Sequence, residues 1–149
     1  MKSEKREARS EKLKVNNENH KEIVLVAEEG ASLSSGSLRL YALPYGCVDL
    51  YNYDPLNQRA AVGIMVAKEF RRQGYALAML QELESMYSSQ EGVHGGTPLH
   101  LLYADIAVSN SASVDLFKKA GYTECGHFKE WLAVDGKYID AVRMQLILT

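Results

Sequence analysis

Cysteine is scarce in this chain of 149 residues: Cys47 and Cys125 lie far apart, and no Cys-x-x-Cys spacing occurs. Neither a disulfide framework nor a zinc site can be drawn from them, and a reducing cytoplasm is the expected setting. The four histidines, His20, His94, His100 and His127, lack metal-ligand spacing such as i, i+4 and read as surface or loop residues, so no metal is expected. Long hydrophobic runs are missing too. Ala60 to Ala67 is apolar apart from Gly63 but is too short to cross a bilayer, and no apolar segment follows the charged N-terminus as a secretory signal would require. A membrane partner is therefore not expected. Two phosphate-binding patterns are absent as well: there is no Gly-x-x-x-x-Gly-Lys-Ser/Thr run and no Gly-x-Gly-x-x-Gly after a strand. That disfavours a nucleotide hydrolase and a dinucleotide enzyme. No internal repeat is found.

What remains is an ordinary globular composition, 46% hydrophobic and 24% charged, of a size for one domain. The net charge of -2 hides an asymmetry, because Met1 to Lys14 carries six basic residues against Glu4, Glu7 and Glu11. Mixed signs without aromatic residues read as a solvated helix or flexible tail over residues 1–20, not as a nucleic-acid arm. Residues 21–149 are expected to form the single domain.

Hydrophobic patterning orders the elements. Glu22 to Glu29 reads as a strand, Ser37 to Leu43 as a second, and Tyr45 to Tyr51 as a third. The third should pair antiparallel with a strand starting at Ala60, after a turn over Asn52 to Gln58. A strand from Leu99 to Val108 should lie parallel to the Ala60 strand, with a helix between them. A second helix is capped by Ser109 or Asn110, buries Val114, Phe117 and Ala120, and stops at Gly121. Thr123 to Val134 and Tyr138 to Leu148 flank Asp135-Gly136, a strong hairpin signal.

The most telling stretch joins the central strand to its helix. Ala60 to Ala67 reads as a strand buried on both faces. From Arg72 the period changes, with Ala76, Met79, Leu80, Leu83 and Met86 three or four residues apart on one helical face. The first turn of such a helix has N–H groups without intrahelical partners and the positive end of the macrodipole. Gly74 admits a ligand to the backbone, and Arg71 and Arg72 add charge. The junction is an expected anion site, best suited to pyrophosphate.

Arg71-x-x-Gly74-x-Ala76, preceded by Val66, Glu69 and Phe70, resembles the Arg/Gln-x-x-Gly-x-Gly/Ala signature of the GNAT family of N-acetyltransferases. The segment Asn110 to Tyr122 resembles a second motif of that family in order and spacing. Val48 to Pro55 and Gly136 to Asp140 resemble the branch that holds ribosomal-protein N-terminal and spermidine acetyltransferases. The likeness implies a single-domain α/β (α+β) fold: a mixed central sheet with two splayed parallel strands and a C-terminal hairpin, the N-terminal helical layer being reduced or absent here. It implies acetyl-CoA as cosubstrate, with Ile64, Met65 and Val66 offering a backbone edge to its pantetheine. Arg71, Arg72, Gln73, Gly74, Tyr75 and Ala76 would form the pyrophosphate nest, and Asn110 would bond the pantetheine arm from a helix that also brings Ser113 and Phe117. The acceptor would be a primary amine, namely a polyamine, a small amine or a protein N-terminus, attacked directly in a ternary complex. The alternative is a non-catalytic acyl-CoA-binding module.

Three departures from the family pattern matter. Phe117 stands where many members carry a tyrosine that protonates the leaving thiolate, and phenylalanine cannot donate. Ser113, Tyr122, Tyr138 or water are the substitutes, while Asp49, Glu69 and Asp105 are candidate bases, Asp105 also being placed to pair with an arginine. Arg72 stands where glycine is common and is expected to adopt helical dihedrals. Finally, Met1 to Leu43 lacks the strand and two helices that build much of the acceptor pocket, which would leave a strand exposed and favour a homodimer.

Overall fold

The computed structural model describes residues 23–88 and 97–149. The charged tail expected over residues 1–20, and part of the loop expected from Ser88 to Pro98, lie outside the described residues. Among the described residues seven strands form one sheet, β1 (Val26–Ala27), β2 (Leu38–Ala42), β3 (Gly46–Asp54), β4 (Arg59–Val66), β5 (Leu101–Ala107), β6 (Thr123–Val134) and β7 (Lys137–Ile147). Their order is β1-β2-β3-β4-β5-β7-β6. Helix α1 (Tyr75–Ser88) links β4 to β5, and α2 (Ser111–Lys119) links β5 to β6.

Alternation decides which side chains enter the core. Val48 and Leu50 of β3, Ala60 and Val62 of β4, Leu102, Ala104 and Ile106 of β5, and Val142 and Met144 of β7 are buried in one cluster with Ala78, Met79, Leu80, Leu83 and Met86 of α1. Both helices pack on that side. The opposite face carries the intervening residues, among them Asp49, Tyr51, Gly63, Tyr103, Asp105 and Arg143, brought into line by the register.

Local signals are met closely at the C-terminal end. Asn110 caps α2 by accepting from the Ser113 N–H at 3.2 Å, Gly121 follows with φ 93°, and Asp135 and Gly136 take φ 49° and 74°, the two left-handed positions of a tight hairpin turn. Two expectations need correction on the N-terminal side. The strand expected over Glu22 to Glu29 shrinks to Val26–Ala27, pairing only with Tyr41 and Leu40. The third strand instead runs on to Asp54 through an irregularity between Tyr51 and Asp54, since the Asp54 carboxylate accepts from the N–H groups of Leu56 and Asn57 and places the turn after it. In the described residues no α-helix precedes β2; β1 and β2 are joined through a single 3-10 turn at Leu33–Ser35.

Candidate functional site

β4 and β5 run parallel and share only three paired positions, Arg59↔Leu101, Ala60↔Leu102 and Ala61↔Tyr103. Beyond Ala61 they part. Each stays bonded along its outer edge, β4 to β3 as far as Val66 and β5 to β7 as far as Ala107. A wedge therefore opens in the sheet, with main-chain N–H and C=O groups along its inner edges. This corrects the expectation that Ala60 to Ala67 is buried on both faces: Ala60, Ala61 and Val62 are buried, but Met65 is 63% exposed, because its neighbour strand has moved away.

At the wide end of the wedge the chain makes a 3-10 turn, Lys68–Phe70, and then a sharp curl before α1. Arg72 has φ 59° and Gly74 φ 85°. Arg72 thus does not adopt the expected helical dihedrals; it sits in the left-handed region, where glycine has no Cβ to clash and is for that reason common. Left-handed residues alternating with ordinary ones turn successive N–H groups toward one point, a nest suited to an anion. The curl is held from several sides. Arg71 Nε donates to the Val66 carbonyl at 3.0 Å, Gln73 Nε2 donates to the Glu69 carbonyl at 2.9 Å, and Tyr75 stacks on Tyr45 while Phe70 meets both rings edge-on. The Gly74 carbonyl accepts the Ala78 N–H at 3.1 Å, so the residue at the cap of α1 is a glycine, and no side chain there competes for the N–H groups of the first turn.

A cavity of about 500 Å³ lies over this helix start. Val66, Arg71, Arg72, Gly74, Tyr75 and Ala76 line it from one side, and Ala112, Asp115, Leu116 and Lys119 of α2 from the other. α2 was expected here through Asn110, Ser113 and Phe117; the residues that do line the cavity, Ala112, Asp115, Leu116 and Lys119, were missed, although their spacing of three and four residues is that of one helical face. The other residues expected at the donor site are not among the cavity's lining. Ile64 packs against the core, and Met65 pairs with Cys47 on the opposite side of β4. Gln73 braces the loop, Asn110 caps α2, and Ser113 is half-buried in its first turn. Phe117 is buried in the core against Tyr122, their ring centroids 4.9 Å apart.

The expected acids and bases are dispersed. Tyr122 is 3% exposed, its hydroxyl has no hydrogen-bond partner among the described residues, and burial pushes its pKa up. Tyr138 is 71% exposed at the start of β7. Asp105 accepts both Nε and Nη2 of Arg143, at 2.7 and 2.8 Å, and Asp49 accepts the same pair of donors from Arg39. Glu69 is exposed on the 3-10 turn. One group that the sequence did not single out is Tyr51, on β3 beside the wedge, whose pKa is raised first by burial and then by the nearby Asp105, Tyr103 and Asp49. Among the described residues no helix is long and apolar enough to cross a membrane.

Comparison with known proteins agrees with this geometry. The model of the acetyltransferase (GNAT) domain matches residues 3–123. The spermidine N(1)-acetyltransferase of Vibrio cholerae is 27% identical over 68% of this chain and 56% of its own length. The chain spans little more than half the length of the curated relatives it matches. A solved chimera of the Vibrio cholerae spermidine N-acetyltransferase superposes with a TM-score of 0.67 at 25% identity, over 76% of this chain and 68% of that one. The crystal structure of the Vibrio cholerae enzyme in complex with CoA and spermine shares the fold, with a TM-score of 0.67 at 23% identity over 77% and 68% of the two chains. With the parted parallel strands and the seven-stranded order, these matches establish that the chain belongs to the GNAT acetyltransferase domain family.

Proposed function

We propose that this chain transfers the acetyl group of acetyl-CoA to a primary amine by direct attack in a ternary complex, residues 21–149 acting as one domain. The observation that carries this reading is the parting of β4 from β5 after Ala61 beside a helix start lined by Arg71, Arg72 and Lys119. The residues fit the donor chemically. A glycine cap leaves the first-turn N–H groups to an anion, Arg71, Arg72 and Lys119 outnumber the one carboxylate, Asp115, in the lining, and about 500 Å³ falls within the usual range of ligand pockets. In this reading the nest from Arg71 to Ala76 holds the pyrophosphate. The main chain of Ile64, Met65 and Val66 pairs with the pantetheine amides as an added strand would, and Asn110 and Ser113 approach the same arm from α2.

The thioester supplies an acyl carbon that bonds to the amine nitrogen as its C–S bond breaks; the ammonium gives one proton to solvent before attack, and the nitrogen loses a second as the amide forms, matching the one that the leaving thiolate gains. The chain's part is chiefly to position and to exclude competing nucleophiles. Phe117 packs and carries no donor, Tyr122 is held in the core, and Asp49 and Asp105 are occupied by arginines. In this reading water in the wedge carries the protons. Cys47 and Cys125 are free thiols, in keeping with a cytoplasmic setting. Self-association belongs to the same reading, because the Vibrio cholerae enzyme has been solved as a dodecamer.

Isothermal titration with CoA, paired with a thiol-release assay over polyamines, amino acids, aminoglycosides and peptides, tests the proposal. Binding heat that acetyl-CoA competes away, with thiol release on at least one amine, is the expected result. Binding without release on any amine would identify an acyl-CoA-binding module instead, and no heat would remove the donor site altogether.

A further inference from the structure

The inner edge of β4 depends on how β3 stands behind it. Gly46, Cys47 and Val48 of β3 face Val66, Met65 and Ile64 in one antiparallel register, and Ala67 continues it by donating its N–H to the Tyr45 carbonyl at 2.8 Å. Hydrogen-bonded and non-hydrogen-bonded pairs alternate along such a ladder. The main-chain groups of Met65 therefore turn toward β3 as those of Ala67 do, and those of Ile64 and Val66 turn toward the wedge. Arg71 Nε meets the Val66 carbonyl on that side, donating to it at 3.0 Å.

Gly46 and Val66 are then a non-hydrogen-bonded pair, the kind in which antiparallel strands come closest. A Cβ on Gly46 would fall on the Met65 carbonyl oxygen and lie 3.0 Å from the Val66 Cα. Those are main-chain atoms, which cannot swing aside as the end of a side chain could. Behind Gly46, β2 closes off retreat: Ala42 pairs with Gly46, and the Ala42 carbonyl accepts the Tyr45 N–H at 2.7 Å. Any side chain at this position therefore drives the end of β4 forward, into the wedge. Gly63, on the same strand pair, is the contrast. A Cβ there would meet only side-chain atoms, Tyr51 Cε1 at 3.6 Å and Asp49 Cβ at 3.8 Å, which is ordinary contact.

We propose that Gly46 is a positioning residue for the acyl donor: by letting β3 close up behind Met65 and Val66, it sets the inner edge of β4, and with it the Ile64 and Val66 groups, where the pantetheine arm can pair with them. The proposal rests on the acetyltransferase reading above and adds to it a residue outside both motifs, one that acts through the β4 main chain and touches neither donor nor acceptor. The curl before α1 has ties of its own, Gln73 Nε2 to the Glu69 carbonyl and the Ala78 N–H to the Gly74 carbonyl. A shift at Met65 and Val66 is therefore felt first by the pantetheine arm and only weakly by the phosphates.

The experiment titrates the wild-type chain, Gly46→Ala and Gly63→Ala with two probes, CoA and adenosine 3′-phosphate 5′-diphosphate, which is CoA without its pantetheine arm. Gly46→Ala should lose about tenfold or more in CoA affinity and less than about twofold for the armless nucleotide, while Gly63→Ala keeps both affinities. Amide exchange followed by NMR adds a readout that a merely structural role would not move. In the wild type, CoA should slow exchange at Ile64 and Val66 and the armless nucleotide should not, with Met65 and Ala67 slow before either is added; in Gly46→Ala the protection by CoA should be lost. Equal losses for the two probes, including loss of both because the variant does not fold, make Gly46 a residue of the fold and overturn the proposal. Unchanged CoA affinity in Gly46→Ala, or a wild type that binds both probes equally, overturns it too and leaves the acetyltransferase reading standing. A wild type that binds neither probe overturns both.

Discussion

Tyr45 and Tyr75 stack with ring centroids 4.0 Å apart and planes 14° from parallel, fastening the β2–β3 turn to the first residue of α1. Phe70 packs edge-on against both rings, 5.1 Å from Tyr45 and 5.8 Å from Tyr75. The left-handed curl before α1 therefore has a wall outside its own sequence. Tyr45→Ala should cost about 1 kcal/mol of stability beyond the lost area and weaken CoA binding several-fold by loosening the left-handed curl. Titration and urea unfolding check the two effects, and an unchanged CoA affinity would show that the nest stands without the stack.

Gly74 separates strain from charge at the same site. Its φ of 85° means that any side chain costs about 1 kcal/mol in backbone energy. Gly74→Ala should show that loss of stability with a modest loss of CoA affinity. Gly74→Glu adds bulk and a negative charge at the nest and should abolish CoA binding while the protein still unfolds cooperatively. Equal affinities for the two variants would place the pyrophosphate elsewhere.

Tyr122 and Asp105 answer whether the buried candidates do chemistry. The Tyr122 hydroxyl is buried without a hydrogen-bond partner among the described residues, so Tyr122→Phe removes a desolvated polar group and should leave the melting temperature unchanged or raise it, with kcat kept. Asp105→Asn, in contrast, breaks a half-buried bidentate pair and should destabilise the fold by about 1–3 kcal/mol. The pH–rate profile should nevertheless keep its wild-type shape. A lost limb of that profile in either variant would make the residue an acid or base after all.

Glu82 supplies a stability signature. It is 3% exposed on α1, and burial pushes its carboxyl up to about 7, against about 4.3 for an unfolded glutamate. Below the unfolded value both states hold the proton. Between the two values only the folded state holds it, so stability falls as pH rises and the loss is complete above the folded value. Urea unfolding from pH 4 to pH 8 should show this decline. Glu82→Gln should flatten it and be the more stable form at pH 8 by more than about 1 kcal/mol. Glu84, raised by burial as well, leaves a residual slope of the same sign. Parallel curves for the two proteins would mean that Glu82 ionises freely in the folded state.

The parts legible in advance are those governed by a few consecutive residues. Asn110 caps α2 and Gly121 ends it because both act within a turn of the helix, and Asp135-Gly136 makes its hairpin because the two left-handed dihedrals are a local steric matter. Thr123–Val134 begins and ends where expected. Arg72 misled for the complementary reason: an arginine can be helical, and only the bonds of Arg71 and Gln73 and the Tyr45–Tyr75 stack hold it at φ 59°.

Sequence alone determined the strand and helix identities, the strand-to-helix junction proposed to hold the pyrophosphate, and the family, since periodicity, capping and motif spacing are written in neighbouring residues. Tertiary structure decided where β4 leaves β5, which face of α2 lines the cavity over the start of α1, and that Asp49 and Asp105 are each claimed by an arginine. Those outcomes depend on register between strands far apart in the chain. Arg143 meets Asp105 only because β7 pairs with β5 in one alignment, and a shift of one residue would send each side chain to the opposite face.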